Sequence, residues 1–171
     1  MISSAENART LRTIRIWLVV FMVGLVLSGI TAFPLQHELA WLAGAVGGDR
    51  IQAAAPSLVQ WIQRVHEALN ETGRQYPFLA YGTDWLAFAH LALAVAFIGP
   101  LRDPVRNKWV LTFGLIACAG VVPLALIAGQ VRGIPIYWRL IDCSFGVFGA
   151  IPLVVCLRAV RRLEESAPRE C

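Results

Sequence analysis

Four stretches of the chain are long apolar runs, covering about 14–33, 82–99, 109–129 and 135–157. An α-helix needs roughly 20 apolar residues to cross about 30 Å of hydrocarbon, so each run predicts a membrane span. Pro34, Pro100 and Pro135 fall at span edges, where a missing backbone donor matters little. Pro123 and Pro152 fall inside spans and predict kinks. The first run is longer than the apolar core of a signal peptide and no small-residue cleavage site follows it, so it is expected to remain as an uncleaved helix.

The connection from 34 to 81 has a different rhythm. Leu35, Leu39, Leu42 and Val46 recur at helical spacing, as do Leu58, Ile62, Val65 and Leu69, with Trp61 on the flank. Pro56 suits the first turn of the second segment and Gly73 follows its end, while Gly44, Gly47 and Gly48 separate the two. The pattern predicts two amphipathic helices lying on the bundle or in the headgroup zone. The expected fold is therefore all-α, a single transmembrane domain over 1–171. It is an integral membrane four-helix bundle, with two amphipathic helices in the outer segment 34–81 and a cytoplasmic tail at 158–171.

Composition agrees with this and removes other classes. Hydrophobic residues make up 57% of the 171 and charged residues 15%, against about 25% charged in a typical soluble domain. Mean hydropathy is +0.62. The net charge of +4 does not point to nucleic acid, because the basic residues sit at the edges of the apolar runs and form no basic helix or recognition signature. Their distribution instead sets orientation. Arg9, Arg12, Arg15, Arg102, Arg106, Lys108, Arg158, Arg161, Arg162 and Arg169 share one side. Arg50, Arg64, Arg74, Arg132 and Arg139 fall on the other. The positive-inside rule puts the first group, and both termini, in the cytoplasm. Trp17, Trp85, Trp109, Tyr137 and Trp138 lie near span ends, as an interfacial aromatic belt requires. Short cytoplasmic connections and the absence of a sorting signal suggest a bacterial inner membrane.

Helices in lipid associate through small residues and polar contacts. Span one offers Gly24, Ser28 and Thr31; span three offers Gly114, Ala117, Cys118, Ala125 and Ala128. On span four, Arg139, Asp142, Cys143, Gly146, Gly149 and Ala150 form one face, so its two charges are expected to point into the bundle. His90 shares a face of span two with Thr83, Ala87, Ala94 and Phe97. Asp84, six residues before it, is about 240° away around the helix.

These residues carry the candidate chemistry. Arg139 and Asp142 are three residues apart and able to form an ion pair, and ionisable groups in hydrocarbon suggest function. The structural alternative is that they glue span four to its neighbours. His90 could bond Asp142, relay a proton or bind haem iron, or simply satisfy itself on a carbonyl or hydroxyl. Asp84 beside Thr83 reads as an N-cap or as a binding group. Gln130 and Arg132 close span three on the same side and could add donors. All of these fall in the outer half of the bilayer. The inner half is nearly free of polar side chains, which argues against transport by a single chain.

Three functions remain. One is a membrane subunit or accessory protein with the bilayer, a membrane partner or a second copy as partners. Another is a membrane enzyme or redox subunit acting on a quinone or isoprenoid at the outer leaflet, with His90 and Asp142 as acid and base and Arg139 as clamp. The last is a b-type haem protein, with His90 as an axial ligand and either an open site or His37 or His66 as the second ligand; otherwise no cofactor is implied. His37 and His66 are expected to be wet surface residues. Cys118, Cys143, Cys156 and Cys171 show no C-x-x-C spacing, which removes a disulfide framework and c-type haem. Motifs of nucleotide binding, zinc peptidases, serine hydrolases and kinases do not occur.

Overall fold

The computed structural model describes residues 4–166, and these are helical almost throughout, with no strand among them. Arg169 and Cys171, and with them the end of the expected tail, lie outside the described residues. The elements are α1 (Ser4–Ala32), α2 (Leu35–Val46), α3 (Asp49–Ala54) and α4 (Pro56–Gln75), then a 3₁₀ turn (Pro77–Ala80). They continue as α5 (Tyr81–Ala96), α6 (Ile98–Arg102), α7 (Lys108–Val131) and α8 (Ile136–Ser166). Four helical stretches are long and apolar enough to cross a membrane: Ala5–Ala32, Pro77–Arg102, Lys108–Val131 and Ile136–Ser166. At 1.5 Å per residue the 31 residues of α8 reach about 46 Å, well beyond a hydrocarbon core. Its last turns, from Arg158 on, therefore extend past the apolar stretch.

Two details depart from the pattern-based expectation. The second span is one apolar stretch but not one helix. It starts in the 3₁₀ turn and breaks at Phe97, and α6 resumes with Pro100, which has no N–H to offer the carbonyl a turn earlier. The glycine-marked gap between the amphipathic helices also holds the short α3. Pro123 and Pro152 sit inside helices that run unbroken past them.

The chain forms two compact units, one made of the chain up to Gly24 with the chain from Ala94 onward, the other of Leu25–Leu93. The first unit is built on the antiparallel pair α7 and α8. Its contacts run in opposite directions along the two helices: Gly114 faces Leu153, Cys118 faces Gly146 and Gly149, and Gly129 faces Arg139. A Cβ on Gly146 would stand 2.5 Å from the Cys118 carbonyl oxygen, so the two backbones meet there as closely as helices can. Ile14, Leu18, Phe97, Leu111, Leu153, Cys156 and Val160 are fully or almost fully buried. The Phe21 and Phe97 rings lie 4.7 Å apart, and Phe97 fills the space beside Gly114. The start of α1, the loop after α6 and the end of α8 gather at one end of this unit. Lys108 pairs with Glu164 at 2.6 Å, and the Ser166 hydroxyl donates to Asn7 Oδ1 at 3.4 Å.

The α7–α8 turn shows why the hairpin closes where it does. Gly133 has φ +69°, and the Ile134 N–H donates to the Gly129 carbonyl at 2.9 Å while the Gly133 N–H donates to Gln130 at 3.1 Å. This is a Schellman cap, which satisfies the orphan carbonyls of α7 through one left-handed residue. A side chain there is strained, so Gly133→Ala should lower stability by about 1–2 kcal/mol in a detergent unfolding titration. The neighbouring Arg132→Ala, at an exposed residue of the same turn, should change it little.

In the second unit α2 packs on α4. Leu39, Val59 and Ile62 are buried between them, and Gln36 Nε2 donates to the Leu69 carbonyl at 3.3 Å. Gly73 leaves room for the Gln36 amide, which a Cβ would strike. Polar Gln60, Gln63, Arg64 and Glu67 occupy the exposed face of α4. The second half of α1 meets α5 at Gly29, where a Cβ would lie 3.0 Å from the Ala87 carbonyl oxygen and 3.1 Å from Leu91. The expected stripe of Gly24, Ser28 and Thr31 is thus corrected. All three are exposed, and nothing lies within 4 Å of a Cβ on Gly24.

Candidate functional site

A cavity of about 320 Å³ lies in the second unit, where the end of α1, the start of α2, the last turn of α4 and the start of α5 come together. Chain breaks make it. Pro34 ends α1 and opens α2, and Pro77 opens the 3₁₀ turn ahead of α5, so four helix ends meet. Leu35, Leu69, Leu79 and Phe33 give it an apolar lining, and Gln36, His37, Thr72, Tyr76, Thr83 and Asp84 bring polar groups to it. Apolar walls with a few converging polar groups are the usual make-up of a small-molecule site.

Asp84 reaches this cavity from the first turn of α5 and does not cap the helix, because α5 already begins at Tyr81 behind a 3₁₀ turn. The favourable end of the helix dipole still acts on its carboxylate. His37 is exposed, as expected of a wet surface residue, and it also lines this cavity from the first turns of α2. Topology was the available signal. His37 follows the end of the first apolar run and Asp84 opens the second, so the two fall at the ends of these runs that the 34–81 connection joins.

His90 does not line this cavity. Its Nδ1 donates to the Leu86 carbonyl at 2.8 Å, one turn back on α5, which leaves Nε2 as the free ring nitrogen. His66 bonds Asn70 on α4 at 3.0 Å. Of the three histidines only His37 belongs to the cavity, so the cavity offers no histidine pair for a haem iron.

In the first unit, Arg139 extends from α8 across α7. Its stem lies over Gly129, where a Cβ would fall 2.5 Å from Arg139 Cδ, and its Nη1 donates to the Leu126 carbonyl at 3.2 Å. The cation thereby sits near the C-terminal end of α7, the end a positive charge stabilises. Its Nε is buried without a partner. Asp142 is half-buried one turn further on. The expected Arg139–Asp142 ion pair does not form: the two side chains do not come within ion-pair distance, and the guanidinium bonds the Leu126 carbonyl instead. The physical reason is reach, since α7 offers the guanidinium a carbonyl and a glycine groove across the helix pair. Gln130 and Arg132 are exposed at the end of α7. Within the second unit, Asp84 and His37 line one cavity while His90 is bonded to a carbonyl of its own helix; within the first unit, Arg139 makes an α7–α8 contact. No group of three or more metal-binding side chains occurs among the described residues.

Comparison with protein-family models, with characterised proteins and with solved structures finds no match to this chain.

Proposed function

We propose that the chain is a non-catalytic subunit or accessory protein of a bacterial inner membrane, crossing it four times with both termini in the cytoplasm. In it Arg139 sets the packing of α7 on α8. The observation that carries this reading is the setting of Arg139, whose stem lies in the Gly129 groove and whose guanidinium is bonded to a backbone carbonyl of the neighbouring helix. A clamp for substrate would need that guanidinium turned toward a cavity. The orientation draws support from the basic start of α1, the 103–107 loop and the basic end of α8 gathering at one end of their unit. Partners are the bilayer and a second membrane protein or a second copy, reached through faces such as that of α8 with exposed Leu140, Phe145 and Phe148.

A second reading is favoured by the cavity in the second unit. A membrane enzyme or redox subunit acting on a quinone or isoprenoid would place the polar head of its substrate beside His37 and Asp84, with His37 as the proton-transferring group. Extraction of the full chain in mild detergent, followed by mass spectrometry of bound proteins, lipids and pigments, separates the two. The subunit reading expects a stoichiometric membrane protein partner, and a lower melting temperature in Arg139→Gln with the bound small molecules unchanged. A stoichiometric quinone or isoprenoid that is lost in both His37→Ala and Asp84→Asn would overturn it in favour of the enzyme.

A further inference from the structure

A second cavity, of about 280 Å³, lies in the first unit between the start of α1 and the end of α8. Six residues line it: Thr10 and Thr13 from α1, and Val155, Arg158, Ala159 and Arg162 from α8. Their spacing is that of two facing helix surfaces. Arg158 and Arg162 are four residues apart and share one face of α8, while Thr10 and Thr13 are three apart on α1. Register between the helices is held just below. Cys156 Sγ donates to the Ile14 carbonyl at 3.6 Å, and Ile14, Cys156 and Val160 are fully buried. The cavity is therefore preformed by a packed contact.

From these observations we infer that the cavity binds the phosphate headgroup of an anionic phospholipid, between Arg158 and Arg162. Charge and shape both point that way. Neither arginine has a carboxylate partner among the described residues. Glu6 on α1 and Glu164 and Glu165 on α8 are the carboxylates nearest along the two helices; none lines the cavity, and Glu164 pairs with Lys108. Arg9, Arg12, Arg15 and Arg161 stand on the same turns and add to the positive field. Two guanidinium forks suit phosphate oxygens better than two ammonium groups would. Thr10 and Thr13 donate to carbonyls of their own helix at 3.0 and 3.1 Å, and their hydroxyls can turn toward a phosphate instead.

The apolar side of the cavity selects a lipid over free phosphate. Val155 and Ala159 floor it on the side where the apolar stretch of α8 begins, the level at which an acyl chain leaves its headgroup. Basic pockets between spans on the cytoplasmic side are the arrangement that holds anionic headgroups. The inference rests on the proposed membrane embedding and on the arginine-rich end meeting a leaflet with anionic lipid.

The test uses the full chain in nanodiscs of phosphatidylcholine, with or without phosphatidylglycerol, read by native mass spectrometry of the released complex. The wild-type chain is expected to keep one phosphatidylglycerol in preference to phosphatidylcholine. The Arg158→Gln/Arg162→Gln variant should retain it roughly tenfold less or worse, and Arg158→Lys/Arg162→Lys should recover part of the loss. Arg102→Gln/Arg106→Gln removes the same charge elsewhere and should leave retention unchanged. Equal losses in the two glutamine variants, or equal retention of the two lipids, would overturn the site. Displacement of the lipid by millimolar inorganic phosphate would do so as well, in favour of a free-phosphate site. A nanodisc presents the same lipids on both faces, so this outcome does not depend on orientation. Labelling of single cysteines introduced at positions 9 and 161 in intact cells tests the orientation separately, because an externally labelled arginine-rich end would overturn the topology and leave the lipid result standing.

Discussion

A single methyl group on Gly146 should separate α7 from α8, while the same methyl on Gly120 should do no harm. A Cβ at Gly146 would lie 2.5 Å from the Cys118 carbonyl oxygen and 3.1 Å from Val121 Cβ. The first of these is backbone, so it yields only if α7 moves as a whole. Overpacking of this kind costs about 1–3 kcal/mol, and here a rigid helix blocks relief, so the upper end is expected. Gly120 sits on the same helix pair with nothing within 4 Å of a Cβ. Gly120→Ala should gain up to about 1 kcal/mol from helix propensity alone. Thermal unfolding of both variants in detergent, beside wild type, reads the difference. Equal stability of Gly146→Ala and Gly120→Ala would mean that the close approach of the two backbones is not there. Gly149 offers an intermediate case. Its Cβ would meet Cys118 Sγ at 3.1 Å, the end of a side chain that can rotate, so Gly149→Ala should cost less than Gly146→Ala.

The second large effect is a coupling. Gly129→Ala places a methyl where Arg139 Cδ and Cγ now lie, at 2.5 and 2.7 Å, and should push the guanidinium off the Leu126 carbonyl. The expected loss in the wild-type background is about 1–3 kcal/mol. In an Arg139→Ala background the groove is empty, and the same substitution should be neutral or mildly stabilising. The cycle should therefore close with an interaction energy of about 1–3 kcal/mol between the two positions. Additive effects would show that Arg139 does not lie in the Gly129 groove, and would remove the observation on which the proposed function rests.

Much of the α7–α8 pair was legible in the chain. The small residues at 114, 118, 146 and 149 recur at helical spacing, and helices in lipid have little else with which to pack closely. Gly133 just beyond an apolar run, with Pro135 after it, is the pattern of a capped helix end. The amphipathic face of α4 could be read because its period matches 3.6 residues per turn and one face is apolar, whereas α2 exposes Leu35 and Trp41. Those are local properties, set by neighbours three or four residues away.

The polar residues were less legible, and for one reason. A side chain as long as arginine reaches several ångströms, so its partner depends on what the next helix presents. Arg139 and Asp142 satisfy the spacing for an ion pair, yet Gly129 and the Leu126 carbonyl of α7 hold the guanidinium. Asp84 carries the signature of a cap, yet the 3₁₀ turn moves the helix start ahead of it. Gly24 looked like a packing residue and Gly29 is one, because which side of α1 meets α5 is set by their crossing.

Four apolar helical stretches long enough to cross a membrane, the amphipathic character of α4 and the small-residue face of α8 were determined by the sequence alone. Each depends on hydrophobicity and period, which every residue carries with it into any fold. Tertiary structure alone decided that His37 and Asp84 share a cavity, that Arg139 is spent on α7, and that Arg158 and Arg162 flank a preformed basic cavity with Thr10 and Thr13. These are meetings between residues distant in the chain, and only the packing of helix ends and grooves brings them together.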